Sequence, residues 1–198
     1  MNNHVITITR KFGSMGRPIG KLVADMLGFK YFDRDILEAT AEKMDTSLYS
    51  LVELDNRGIS GYRRMAYPLG IGDGAKQDKM FRIQSELIEQ YASTENCVII
   101  GRCADYILRE YDNVLSCYIY SPYLRRIENS IDELGFTAAE SKVIVDEIDR
   151  ARSLYYKHYT KQEFNTTCFR DLLIDSSVLG MEETAKFIAD FAKKRFGI

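Results

Sequence analysis

Gly13, Ser14, Met15, Gly16 and Arg17 stand between a short β-branched run, His4 to Thr9, and a helical pattern with Pro18 in its first turn. A helix that starts directly after such a turn presents unpaired N–H groups and the positive end of its dipole. Glycines let an anion come close to those groups, so the chemistry on offer is phosphate binding. The spacing departs from the standard phosphate loop, which places four residues between its first glycine and Gly-Lys-Ser/Thr. Here six residues separate Gly13 from Gly20-Lys21, three separate Gly16 from it, and Leu22 follows where a magnesium-binding hydroxyl would sit. Lys21 falls one turn into the helix, late for a phosphate held at the first turn, and Arg17 is the better-placed cation. A tight strand–helix connection without a ligand is the plain alternative.

Other cations and one acid stand where a sheet would present them. Arg102 follows the continuous apolar run Cys97 to Ile100, at the carboxyl end of a strand, where open α/β sheets bind ligands. Asp33 closes the run Phe29 to Phe32 and suits orientation of an acceptor or a metal-bound water, or equally a helix cap. Arg150 and Arg152, two apart on a long helix, point to different sides, so that one can reach phosphate while the other forms a salt bridge. Both can also belong to a solvated face. The pairs Arg63-Arg64 and Arg125-Arg126 read as solvated. His4 and His158 lack a cysteine or carboxylate array at ligand spacing, so no protein metal site is expected. Tyr155, Tyr156 and Tyr159 read as packing rather than as a platform for nucleic-acid bases.

The elements that must position these residues alternate. Strand-like runs at 4–9, 29–32, 97–100, 114–120 and 172–174 are separated by helical patterns. Ile19, Leu22, Val23, Met26 and Leu27 share one face and stop at Gly28; Thr137 and Glu140 form a capping-box pattern. Helices are expected over 35–43, near 79–93, around Leu124 to Leu134, and from near Gly180 to Gly197. Alternating strands and helices with apolar strands predict a parallel sheet covered on both faces. Residues 55–77 carry five glycines and read as a long mobile segment.

The whole chain sets outer bounds. Its 198 residues suit one domain with a small inserted lid. With 45% apolar and 28% charged residues, disorder and coiled coil are poor readings. A net charge of −2 argues against a protein that coats nucleic acid. There is no signal-like N-terminus and no apolar stretch near the roughly 18 residues that span a bilayer. Cys97, Cys103, Cys117 and Cys168 form no CxxC pair and read as reduced thiols of a cytoplasmic protein.

Ile6-Thr7-Ile8-Thr9-Arg10 followed by Gly13-Ser14-Met15-Gly16-Arg17-Pro18-Ile19-Gly20 resembles the opening of the cytidylate-kinase-like family. Met15 replaces a glycine of that pattern and Pro18 an acid. Val98-Ile99-Ile100-Gly101-Arg102-Cys103-Ala104-Asp105, Asp149-Arg150-Ala151-Arg152 with Tyr155-Tyr156, and Leu173-Ile174-Asp175-Ser176-Ser177 continue the resemblance in order along the chain. It implies an α/β P-loop three-layer sandwich with a helical lid: one kinase-like domain over 1–198, residues 46–93 binding the acceptor and about 136–168 forming the lid. It further implies ATP and Mg2+, with CMP or dCMP the first acceptor to expect and neither nucleic acid nor membrane as partner; a homodimer is compatible. In this scheme Gly13, Ser14, Met15, Gly16, Arg17 and Lys21 bind nucleotide phosphates. Asp33, Arg102 and Asp105 bind the acceptor, and Arg17, Arg150 and Arg152 serve catalysis. Cys103 stands where more distant cytidylate kinases have an acid. A nucleotide-binding regulatory protein without catalysis, or a kinase for another small molecule, are the alternatives.

Overall fold

Five strands, β1 (Val5–Arg10), β2 (Lys30–Phe32), β3 (Cys97–Ile100), β4 (Val114–Tyr120) and β5 (Leu172–Asp175), form one parallel sheet in the order β2-β3-β1-β4-β5. The computed structural model describes residues 3–45 and 74–198. The helices are α1 (Gly16–Leu27), α2 (Asp35–Lys43), α3 (Gly74–Thr94), α4 (Ala104–Ile107), α5 (Tyr123–Asp132), α6 (Ala138–Thr160) and α7 (Ser176–Phe196).

The twofold period of the strands sorts their side chains to two faces. Ile6 and Ile8, with Val98, Ile100, Leu115, Cys117 and Ile119, pack against Ile19 and Val23 of α1 and Ala185 and Ile188 of α7. Val5, Cys97, Ile99 and Val114 pack the opposite way, with Ile36 of α2, Ile88 of α3 and Leu108. Each fully buried isoleucine contributes about 1.5–3 kcal/mol through area removed from water. Gly20 lets α1 lie close on the sheet: a Cβ there would come within 2.5 Å of Ile100 Cδ1 and 3.0 Å of Ile8 Cδ1. A third cluster joins Phe12 to Ile127 of α5 and Ile144, Val145 and Ile148 of α6.

The capping box forms: Thr137 N donates to Glu140 Oε2 at 2.9 Å, and Glu140 N to Thr137 Oγ1 at 3.3 Å. Gly28 ends α1 in the left-handed region, φ 67°. Three boundaries differ from expectation. The helix expected near 79–93 starts at Gly74. Helical structure at the C-terminus starts at Ser176 rather than near Gly180, because Asp175 caps it by accepting from Ser177 N at 2.9 Å. Gly180, with φ 76° and ψ −179°, is instead a break inside α7. The short α4 had no periodic signal in the sequence. The expected mobile segment, 55–77, and the pair Arg63-Arg64 lie outside the described residues except for 74–77, which are helical.

Candidate functional site

The loop that joins β1 to α1 is held from one side by the other helices. Asp149 of α6 accepts from Phe12 N at 2.9 Å and pairs with Arg126 of α5 at 2.7 Å. Arg126 also donates to Phe12 O and Ser121 O, each at 3.1 Å. Asn129 Nδ2 donates to Gly13 O at 2.8 Å, and Ser176 Oγ to Ser14 O at 2.8 Å. The loop carbonyls are thus occupied, which leaves the first-turn N–H groups of α1 as the donors the loop can offer. Gly13, at φ 75°, is required: a Cβ would lie 2.5 Å from Arg126 O. Met15 takes φ 58° directly before α1, a conformation that costs a non-glycine residue about 1–2 kcal/mol.

Four arginines gather near Asp33 beside this loop. β2, β3 and β1 are neighbours in register, Phe32 opposite Ile99 and Ile8 opposite Ile100. Their carboxyl ends therefore bring Asp33, Arg102 and Arg10 side by side. Arg17 Nε lies 2.5 Å from Asp33 Oδ2. Arg152 reaches across from α6 and donates to Arg10 O at 3.0 Å. Asp33 bonds Arg17 and lies within electrostatic reach of Arg10, Arg102 and Arg152, and Asp149 acts more strongly than Asp33 on Arg152. Burial first, and then repulsion led by Arg152, hold Arg10 well below the usual guanidinium range; burial also lowers Arg102 and brings Arg152 down to about 10. Arg10, Arg102 and Arg152 are half-buried and Arg17 is exposed, so the cluster concentrates positive charge at a surface that an anion can reach.

The turn that carries Arg102 is left-handed at three consecutive residues, Gly101 (φ 69°), Arg102 (φ 59°) and Cys103 (φ 57°). Non-glycine residues adopt this region at a cost, and such strain concentrates where a side chain must be aimed. Arg102 Nη1 is buried and has no hydrogen-bond partner among the described residues. On the other side of the loop a cavity of about 350 Å³ opens between Met15, Arg125, Asn129 and Glu133 on one wall and Ser177 and Met181 on the other. The arginine cluster and this cavity both border the start of α1, where Arg17 is its second residue and Met15 directly precedes it.

The remaining sequence candidates take different places. Lys21 pairs with Asp25 on the exposed side of α1, away from the cluster. The Ser14 hydroxyl is fully buried and donates to Lys11 O at 2.8 Å, so it serves the loop rather than a ligand or a metal. Asp105 is sealed off from solvent in an ion pair with Arg170 at 3.2 Å and accepts from Tyr156 at 3.1 Å, so its role is to tie the β3–α4 turn to α6. Arg150 is on the exposed side of α6 while Arg152 faces inward. Arg126 is not solvated, as its sequence neighbourhood suggested, but buried under the loop. The tyrosines pack: Tyr155 donates to Gln84, Tyr156 to Asp105 and Tyr159 to Asp78, joining α6 to α3 and to the β3–α4 turn. No group of three or more His, Cys, Asp and Glu side chains at metal-binding distance exists among the described residues. Arg10 was absent from the sequence candidates; its position as the last residue of the strand before a glycine turn was the available signal.

No curated protein is significantly similar in sequence. A protein from Eubacterium ventriosum, described as uncharacterized, has a solved structure with a TM-score of 0.73 at 18% identity, covering 96% of this chain and 99% of that one. Shikimate kinase from Bacteroides thetaiotaomicron superposes with a TM-score of 0.55 at 13% identity, covering 98% and 99%. Shikimate kinase from Acinetobacter baumannii, solved with shikimate, gives 0.54 at 10% identity, covering 97% and 94%. At these identities the likeness is one of fold, a P-loop α/β sandwich. The sequence itself goes further: the model of the cytidylate kinase-like family matches residues 5–178, and the chain belongs to that family.

Proposed function

We propose that this protein is an ATP-dependent phosphotransferase whose acceptor is a nucleoside monophosphate, with CMP or dCMP first. The observation that carries the reading is the gathering of Arg10, Arg17, Arg102 and Arg152 near Asp33, with Asp149 also beside Arg152, next to the start of α1. Phosphoryl transfer asks little covalent work of a protein; it needs in-line placement and positive charge around the moving group. Amides at the start of α1, with Arg17, would hold the donor phosphates, and the cavity beside Met15 has the position and size for the donor's base. Arg102, aimed by its left-handed turn, would hold the acceptor's anionic group. Arg152, carried on α6, would close over the transferred phosphoryl, and residues of about 136–168 would then serve as the lid. ATP supplies the phosphoryl group. Mg2+ would neutralise phosphate oxygens, with Asp33 the nearby carboxylate able to orient a magnesium-bound water.

A kinase for another anionic small molecule is the second reading. Cys103, and the likeness in fold to two shikimate kinases, favour it. Coupled ADP release, with ATP and magnesium, against nucleoside monophosphates and a panel of small carboxylates and phosphates decides between them. Turnover of CMP or dCMP above all others is expected. Turnover confined to a non-nucleotide acceptor selects the second reading. ATP binding without turnover of any acceptor points to a regulatory protein.

A further inference from the structure

A standard phosphate loop places a lysine against the transferred phosphoryl group, and Lys21 of this chain is engaged elsewhere, with Asp25. The structure holds another cation at that junction. Arg10 ends β1, and its side chain runs over two glycines from distant parts of the sequence. A Cβ on Gly16 would lie 2.6 Å from Arg10 Cβ and 3.1 Å from Arg10 Cγ. A Cβ on Gly101 would collide with Arg10 Nη1. The stem thus lies on the first residue of α1, and the tip lies on the turn that carries Arg102. Both glycines clear space for this one side chain. An arginine placed only for packing would be expected to own a carboxylate, yet the acid near Arg10, Asp33, is already bonded to Arg17 at 2.5 Å and 3.3 Å.

We propose that Arg10 is the cation that bridges donor and acceptor during phosphoryl transfer, in place of the loop lysine. This rests on the phosphotransferase reading above. In the step, the γ-phosphorus exchanges its bond to the β,γ-bridging oxygen of ATP for a bond to an acceptor oxygen. ADP leaves with the electron pair of the broken bond, and Arg10 neither gives nor takes a proton. Its place between the start of α1 and the Arg102 turn lets one guanidinium meet charge from both substrates. Burial and the charge of Arg152 make that guanidinium costly to keep while the site holds no anion, which gives the role a distinctive signature.

The test uses the full chain with inorganic pyrophosphate as probe, read by thermal unfolding and by titration calorimetry, alongside ATP turnover. Arg10→Met should be as stable as the parent, or more stable, without ligand. It should bind pyrophosphate at least tenfold more weakly and lose most of the ligand-induced rise in Tm. Lys21→Met should match the parent in all three measurements. A side chain serving only to pack would give the opposite pattern, with a lower ligand-free Tm and unchanged affinity, and that result overturns the proposal. So does a larger affinity loss in Lys21→Met than in Arg10→Met. Should Arg10→Met fail to fold, Arg10→Gln keeps the stem and a polar tip without the charge and is judged by the same affinity criterion. If the parent turns over no acceptor while Arg10→Met still loses pyrophosphate, the kinase reading falls and the anion site at Arg10 stands.

Discussion

Arg17 and Lys21 differ by four positions on one helix and by their partners. Arg17 is the second residue of α1, joined to Asp33 inside the arginine cluster, whereas Lys21 and Asp25 form an exposed pair one turn on. Exposed pairs of this kind are worth about 0–1 kcal/mol. A charge-assisted contact to phosphate is worth roughly 1.5–3 kcal/mol, about tenfold or more in affinity. Arg17→Ala should therefore weaken ATP binding about tenfold or more, and Lys21→Ala should change it less than about twofold, as read by calorimetry. A larger loss in Lys21→Ala would place the phosphates one turn further along α1.

The elements around the loop are joined by ions that are themselves buried. Arg126 and Asp149 link α5, α6 and Phe12, with only 9% and 12% of their side chains exposed. Removing one partner of a buried pair strands the other charge and costs about 3–5 kcal/mol. Asp149→Ala should lose that much in urea unfolding and should also loosen the loop, so the ligand-induced rise in Tm shrinks. Replacing both Arg126 and Asp149 with apolar residues should cost less than the sum of the single changes. The contact between α1 and the sheet is tested at Gly20. A methyl there meets Ile100 and Ile8, and overpacking of this kind costs about 1–3 kcal/mol. Gly20→Ala should lower stability by that amount with little change in nucleotide affinity at the folded site.

Across the whole molecule, proton linkage opposes the fold at high pH. Burial pushes Cys97 up from 9.0 to about 12 and Tyr118 from 10.0 to about 12. Because their folded values are raised, the folded state holds these protons longer than the unfolded chain. Stability is thus fully present below about pH 9 and is lost as pH climbs towards 12. Cys117 and Tyr156 are raised as well and act in the same sense. Arg10, Arg102 and Arg152 are lowered and work the other way, Arg152 above about pH 10, but the raised thiols and phenols outnumber them. The urea midpoint should fall steadily from pH 9 to pH 11, and a flat profile would mean that these groups are hydrated. Thiol labelling gives a second check: Cys168 is exposed and should react at once, whereas Cys97, Cys103 and Cys117 should react only on unfolding.

Local chemistry was enough to read much of this architecture from the chain alone. The β-branched run at 4–9, which forms the strand Val5–Arg10, the helical stripe from Ile19 to Leu27 with Gly28 behind it, and the Thr137/Glu140 box act through neighbours a few residues away, so their meaning survives without a fold. Arg17 and Arg102 were legible for the same reason, each standing at an element end next to glycine. What only the tertiary structure decided concerns charges that meet across long sequence distances. Arg126 looked solvated until Asp149 and the Phe12 carbonyl were packed against it. Asp105 looked like an acceptor ligand until Arg170, 65 residues on, closed over it. The signal at Arg10 was only its place at a strand end before a glycine turn, because its partners lie on α1, on the turn after β3 and on α6, and the strand order β2-β3-β1 with the packing of α6 brings them together. Periodicity and caps are written in adjacent residues, whereas the sign and burial of a charge depend on which strands become neighbours, and that is settled only when the sheet forms.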